Sequence, residues 1–114
     1  MSLLTREQII EVQDIKYSSV EVPEWGGEVR LRSLSGADRA TLIATYSDEE
    51  HLGKFDIFLI ALAAVDGEGN RIFSVKDVDA LSRKSSSALI RVAEAAKQLS
   101  GLSPVAEETA EKNS

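Results

Sequence analysis

The chain has 114 residues, 13 Lys+Arg against 19 Asp+Glu, no cysteine and a single histidine. Absence of cysteine excludes a disulfide scaffold, thiolate catalysis and any Cys-based zinc site. A net charge of −6 excludes the basic surface that nucleic acid or anionic lipid demands, because Lys and Arg must neutralise phosphates.

The N-terminal stretch from Met1 to Ile10 contains Arg6 and Glu7 and has no apolar core of a signal peptide. Thr5 and Gln8 have the spacing of a capping box, in which each side chain bonds the other's backbone N–H. A short helix is expected there, with Ile9, Ile10 and Val12 following on one side, and a connector from Asp14 to Ser19. Val20 to Trp25 and Glu28 to Arg32 then alternate apolar and polar residues around Gly26-Gly27. That pattern predicts a β-hairpin with a two-residue primed turn. In that register Val22 faces Leu31, Val20 faces Ser33, and Glu21 meets Arg32 as an opposite-charge pair. Pro23 cannot donate to a ladder, which puts its strand at a sheet edge.

Ser35 and Asp38 mark the start of a second helix running to about Tyr46. Ser47 to Glu50 either break the chain or cap the next helix, and Gly53 marks a joint. Lys54 to Val65, with the run FDIFLIALAAV, reads as the main hydrophobic helix, far shorter than the ~20 residues needed to cross a bilayer. Asp66 to Asn70 form a turn, Arg71 to Phe73 a brief extended piece, and Ser74 with Asp77 caps a short helix to about Leu81. The last helix spans Ser85 to Ser100, where Leu89, Val92, Ala93, Ala96 and Leu99 supply one apolar face and Gly101 sits at the left-handed C-cap position. The expected fold is α+β and mainly helical: an N-terminal two-stranded antiparallel hairpin packed on a helical bundle, in one domain over residues 1–102. Residues 103–114, with three Glu against one Lys, are expected to be a disordered acidic tail.

Four groups of residues are candidates for function. His51, in an Asp-Glu-Glu-His stretch, is the only side chain with an ordinary pKa near neutrality. It reads as a solvated surface histidine, since no nucleophile elbow, zinc-protease motif or phosphate loop accompanies it. Asp66, Glu68, Asn70 and Asp77 have some of the spacing of a calcium-binding loop. The sharp-turn position is Arg71 rather than glycine, and the last ligand is the shorter Asp77, so an ordinary turn is the better reading. No catalytic, cofactor or metal site is expected. The basic residues Arg30, Arg32 and Arg39, with Arg83, Lys84 and Arg91, form ion-pairing surface or recognise an acidic protein partner. Finally, the Lys54–Val65 helix is apolar nearly all round. It is either a central core element or meets a partner or a second copy through a ridge of Phe55, Phe58, Leu59 and Leu62. Trp25 at the hairpin turn either packs on Pro23 and the Arg30 stem or anchors a partner, as tryptophan often does at interfaces.

The order of these blocks resembles a known family. Leu4-Thr-Arg-Glu-Gln-Ile9, Val20-Glu-Val-Pro-Glu-Trp-Gly-Gly-Glu-Val-Arg-Leu-Arg32, Leu34-Ser-Gly-Ala-Asp-Arg39, Val65-Asp-Gly-Glu-Gly-Asn-Arg-Ile-Phe-Ser74 and the Leu81 to Leu102 helix look like the tail assembly chaperones of long-tailed (siphovirus-type) bacteriophages and prophages. The resemblance spans nearly the whole chain and contains no catalytic signature. It implies a non-enzymatic protein of the host cell cytoplasm that binds the tape measure protein, keeps it soluble and promotes tail tube assembly, and is absent from the mature virion. It also implies a second form, in which a ribosomal frameshift appends a domain that recruits tail tube protein. Glu111-Lys112-Asn113 is compatible with the codons GAA AAA AAC, which contain a slippery heptamer. The partners so implied are the tape measure protein, the tail tube protein and copies of the chain itself, with no nucleic acid and no membrane. A small adaptor retained in the particle at the head–tail region is the alternative.

Overall fold

The computed structural model describes residues 2–46 and 54–102. His51, the Ser47–Glu50 stretch, Gly53, the acidic tail and Glu111-Lys112-Asn113 lie outside them. Helix α1 (Arg6–Glu11) is followed by strand β1 (Tyr17–Val22), a 3-10 turn (Pro23–Trp25) and strand β2 (Gly27–Arg32). Helices α2 (Gly36–Tyr46) and α3 (Phe55–Ala63) come next, then strand β3 (Ala64–Val65), a second 3-10 turn (Val75–Asp77), α4 (Val78–Leu81) and α5 (Ser86–Ser100).

Local chemistry sets the helix starts. Thr5 and Gln8 form the reciprocal capping box, Thr5 N–H to Gln8 Oε1 at 2.9 Å and Gln8 N–H to Thr5 Oγ1 at 3.2 Å. Asp38 and Ser35 make the same exchange at α2. Ser74 and Asp77 repeat it at the second 3-10 turn. The Ser85 hydroxyl accepts from Ala88 N–H, and α5 ends on Gly101 at φ 75°, a left-handed cap that glycine adopts without a Cβ penalty.

The hairpin forms in a different register from the one its glycines suggest. Tyr17 pairs with Arg32, Ser18 with Leu31, Val20 with Val29, Glu21 with Glu28 and Val22 with Gly27. Pro23 fixes the φ angle that opens a four-residue loop, and Gly26 N–H closes it on Pro23 C=O at 3.0 Å. Only Gly26 takes a positive φ, 76°, so Gly26-Gly27 is not a primed two-residue turn. The strand begins at Tyr17 and absorbs half of the expected connector. Because the displacement is an even number of residues, each side chain keeps its face: Val20, Val22, Val29 and Leu31 still point to the core side, while the Glu21–Arg32 pairing is lost.

The sheet also gains a third strand. Helix α3 stops at Ala63 because Ala64 turns extended (φ −73°, ψ 127°), and Ala64 and Val65 pair antiparallel with Leu31 and Arg30. Sheet order is therefore β1-β2-β3, with β1 at an edge. Val65 also bridges to Arg71, closing the 66–70 turn.

Helix α5 lies across β1 and β2 and against α3, while α2 covers another side of α3. The core is built from Val22, Leu31, Leu42, Leu59, Ile60 and Val92, with Ala63, Ala64, Ala88, Ala93 and Ala96 filling the close approaches. Small side chains on α5 let two helices and a sheet meet without voids. Two polar links seal the junction below the sheet: Lys16 N–H donates to Ser33 Oγ at 2.9 Å, and Leu34 N–H donates to Ser100 Oγ at 3.0 Å. No helix among the described residues is long and apolar enough to cross a membrane.

Candidate interaction surface

Three of the basic residues singled out by the sequence, Arg30, Arg32 and Arg91, are engaged within the chain. Arg30 donates to the carbonyls of Asp66 (3.1 Å) and Gly67 (3.0 Å) and stacks its guanidinium 4.4 Å over the Tyr17 ring. It joins the start of β1 to the 66–70 turn. Arg32 bonds Asp38 at 2.9 Å, and Arg71 bonds the other oxygen of the same carboxylate. Asp38 is only 6% exposed, so this two-arginine clamp fixes β2, α2 and the 71–75 loop around one buried charge. Arg91 makes a two-pronged contact to Glu24, 2.6 and 3.1 Å, tying α5 to the hairpin turn. That hydrogen bond, with one from Glu24's own backbone, holds the Glu24 carboxyl below its ordinary value of 4.5.

The calcium-like residues also close a turn. Asp66 Oδ1 accepts from Glu68 N–H at 2.8 Å and Asn70 N–H at 3.0 Å. The Asn70 and Glu68 N–H groups lower the Asp66 carboxyl from its ordinary value. Among the described residues no three His, Cys, Asp or Glu are grouped to hold a metal ion.

Of the two readings of the Lys54–Val65 helix, the burial of α3 matches the central core element. Leu59 is completely buried and Phe58 nearly so; a nine-residue helix between α5, α2 and α4 has no free side for them. Phe55 and Leu62 are half-buried, with Lys97 Nζ 5.9 Å from the Phe55 ring. Lys97 is itself held 2.9 Å from Asp56. Phe58 and Leu62 instead form the floor of a narrow cleft of about 70 Å³, walled by Thr41, Thr45, Phe73 and Val75. On its other side, Phe73 lines a broader depression of about 430 Å³ with Trp25, Leu81, Lys84 and Glu24. Trp25 is half-buried against the core and lies in this depression. Val75, 75% exposed, and Ile72 add apolar surface beside the cleft.

Around Phe73, aromatic side chains from the hairpin turn and the 71–75 loop line one depression. The chain shares its fold with the bacteriophage HK97 tail assembly chaperone. The two structures superpose with a TM-score of 0.62 over 82% of this chain and 90% of that one, at 22% sequence identity. No protein-family model matches the chain, and no curated protein sequence does. At that identity the likeness is one of architecture.

Sequence reasoning placed Trp25 at a surface but missed Phe73, its neighbour across the depression. The available signal was the pair of large apolar residues, Ile72 and Phe73, in a short loop after a Gly-rich turn, where solvent exposure is the default. A second surface also escaped notice. Helix α1 buries none of its residues, and Leu3, Leu4, Ile9, Ile10 and Val12 are all exposed.

Proposed function

We propose that this protein is a phage tail assembly chaperone that binds the tape measure protein, keeps it soluble in the host cytoplasm and promotes tail tube assembly around it. The observation that carries the reading is the fold shared with the HK97 tail assembly chaperone over most of both chains, joined to the sequence blocks from Val20 to Arg39 and from Val65 to Ser74. The physical properties agree with it. An apolar face around Phe73 and an unpacked apolar N-terminal arm offer contact surface, and a net charge of −6 keeps such a protein soluble. The proposed work is reversible contact, with no bond made or broken.

On this reading the protein leaves before the particle is complete, and a frameshifted form carries a tail-tube-binding extension. Deleting the gene should abolish tails, and mass spectrometry of purified virions should find no peptide of this chain. Peptides at stoichiometric abundance would favour the adaptor instead. The codons of Glu111-Lys112-Asn113 test the frameshift: any sequence other than an A-rich slippery run removes its basis at that position.

A further inference from the structure

We infer that the depression formed by Trp25, Phe73 and Leu81, with Lys84 at its rim, is the seat for a large apolar side chain of the client, and that this side chain is flanked in the client by a carboxylate. The inference rests on the chaperone reading and specifies which surface engages the client and what chemistry that segment carries.

The size and lining come first. At about 430 Å³ the depression admits a Leu, Phe or Trp side chain, whereas the cleft on the far side of Phe73, about 70 Å³, does not. Trp25 and Phe73 are half-buried and Leu81 is buried, so the walls are held by the core and are formed before binding. A preformed aromatic seat loses little conformational entropy when filled.

Charge decides the occupant. Glu24 also lines the depression, but both of its oxygens are bound by Arg91. Its charge is thereby balanced inside the chain. Lys84 and its neighbour Arg83 form no ion pair among the described residues. An unpaired lysine on the lining of an apolar seat, with Arg83 next to it in the chain, calls for a carboxylate on the partner. At the 70 Å³ cleft the Arg71 guanidinium is tied to Asp38, which it shares with Arg32, and the space is too small for a large side chain.

Trp25 is the only tryptophan, so its emission reports on the seat directly. The probes are overlapping synthetic peptides tiled along the tape measure protein encoded by the same phage or prophage genome. Peptides with a large apolar residue within one helical turn of Asp or Glu should shift Trp25 emission. Replacing those acids with Asn or Gln, or introducing Arg83→Glu with Lys84→Glu, should weaken binding by roughly tenfold. The control pair Lys16→Glu with Arg39→Glu makes the same change of net charge elsewhere and should leave binding within about twofold. Both pairs are exposed, and thermal melts establish that they fold. Equal binding by peptides without acids, an unchanged affinity in the Arg83/Lys84 variant, or an emission shift driven by protein concentration alone would overturn the inference. Co-expression separates its failure from that of the chaperone reading. If wild type and the Arg83/Lys84 variant solubilise the tape measure protein equally well, the seat is wrong and the chaperone stands; if neither does, both fall.

Discussion

Helices α1 and α3 both carry large apolar side chains and differ completely in their surroundings. Helix α3 is enclosed by α5, α2 and α4 and supplies Leu59 and Ile60 to the centre of the core. Helix α1, with Ile9 and Ile10 as its two apolar residues, buries nothing and is held by its own Thr5–Gln8 capping box. A six-residue helix is too short to be stable on propensity and one cap alone. The difference teaches that apolar residues in a sequence state a need for a partner without saying whether the partner is in the same chain. In α3 the need is met internally, so its side chains are poor candidates for client contact. In α1 it is unmet.

The sharpest way to break this contrast is to charge each helix in turn. Phe58→Asp puts an unpaired carboxylate into the core, and the cost of several kcal/mol rivals the ~5–15 kcal/mol stability of a whole small domain. The expected outcome is loss of the cooperative thermal transition by circular dichroism. Next in size is Asp38→Ala, which strips Arg32 and Arg71 of their shared partner and α2 of its cap. Urea denaturation should show a loss of about 3–5 kcal/mol; a loss under 1 kcal/mol would mean that the clamp does not fasten β2 to α2. Ile9→Ser and Ile10→Ser should each move the midpoint by no more than about 0.5 kcal/mol, as exposed positions do. A larger loss would show that α1 packs on the domain after all.

The smallest effect concerns pH. Glu24 is held below its ordinary value of 4.5, first by the Arg91 hydrogen bond. A carboxyl depressed in the folded state stabilises the fold above its unfolded value, and that contribution is lost as pH falls through the folded value. Arg91→Met removes it. The melting temperatures of wild type and Arg91→Met should therefore differ most above pH 4.5 and converge in more acidic solution, at low salt. A gap that widens on acidification would contradict the assignment.

What could be read in the sequence was what is local. Helix starts depend on a Ser or Thr and a residue three places on, and Thr5–Gln8, Ser35–Asp38 and Ser74–Asp77 all form the expected boxes. Gly101 caps α5 for a similarly local reason. The hairpin was legible in its faces and not in its register, because two adjacent glycines resemble a primed turn while Pro23, three residues earlier, imposes a longer one. Strand β3 was invisible: Ala64 and Val65 continue the apolar run of α3, and only pairing with Leu31 and Arg30, more than thirty residues away, makes them extended. The candidate site divides the same way. Trp25 was evident by residue type, but its partners Phe73 and Leu81 come from distant segments. Arg30 and Arg32 read as ion-pairing surface, Arg32 with Glu21, but their actual partners, the 66–67 carbonyls and Asp38, are tertiary facts.

The central claim is that this chain keeps a tape measure protein in solution, and co-expression tests it most directly. The tape measure protein of the same genome is produced in bacterial cytoplasm with and without this chain, and the soluble fraction is measured after centrifugation. The expected result is that the tape measure protein pellets alone and becomes soluble with this chain, the two eluting together on size exclusion. A soluble fraction that does not respond to this chain, with separate elution of the two, would contradict it.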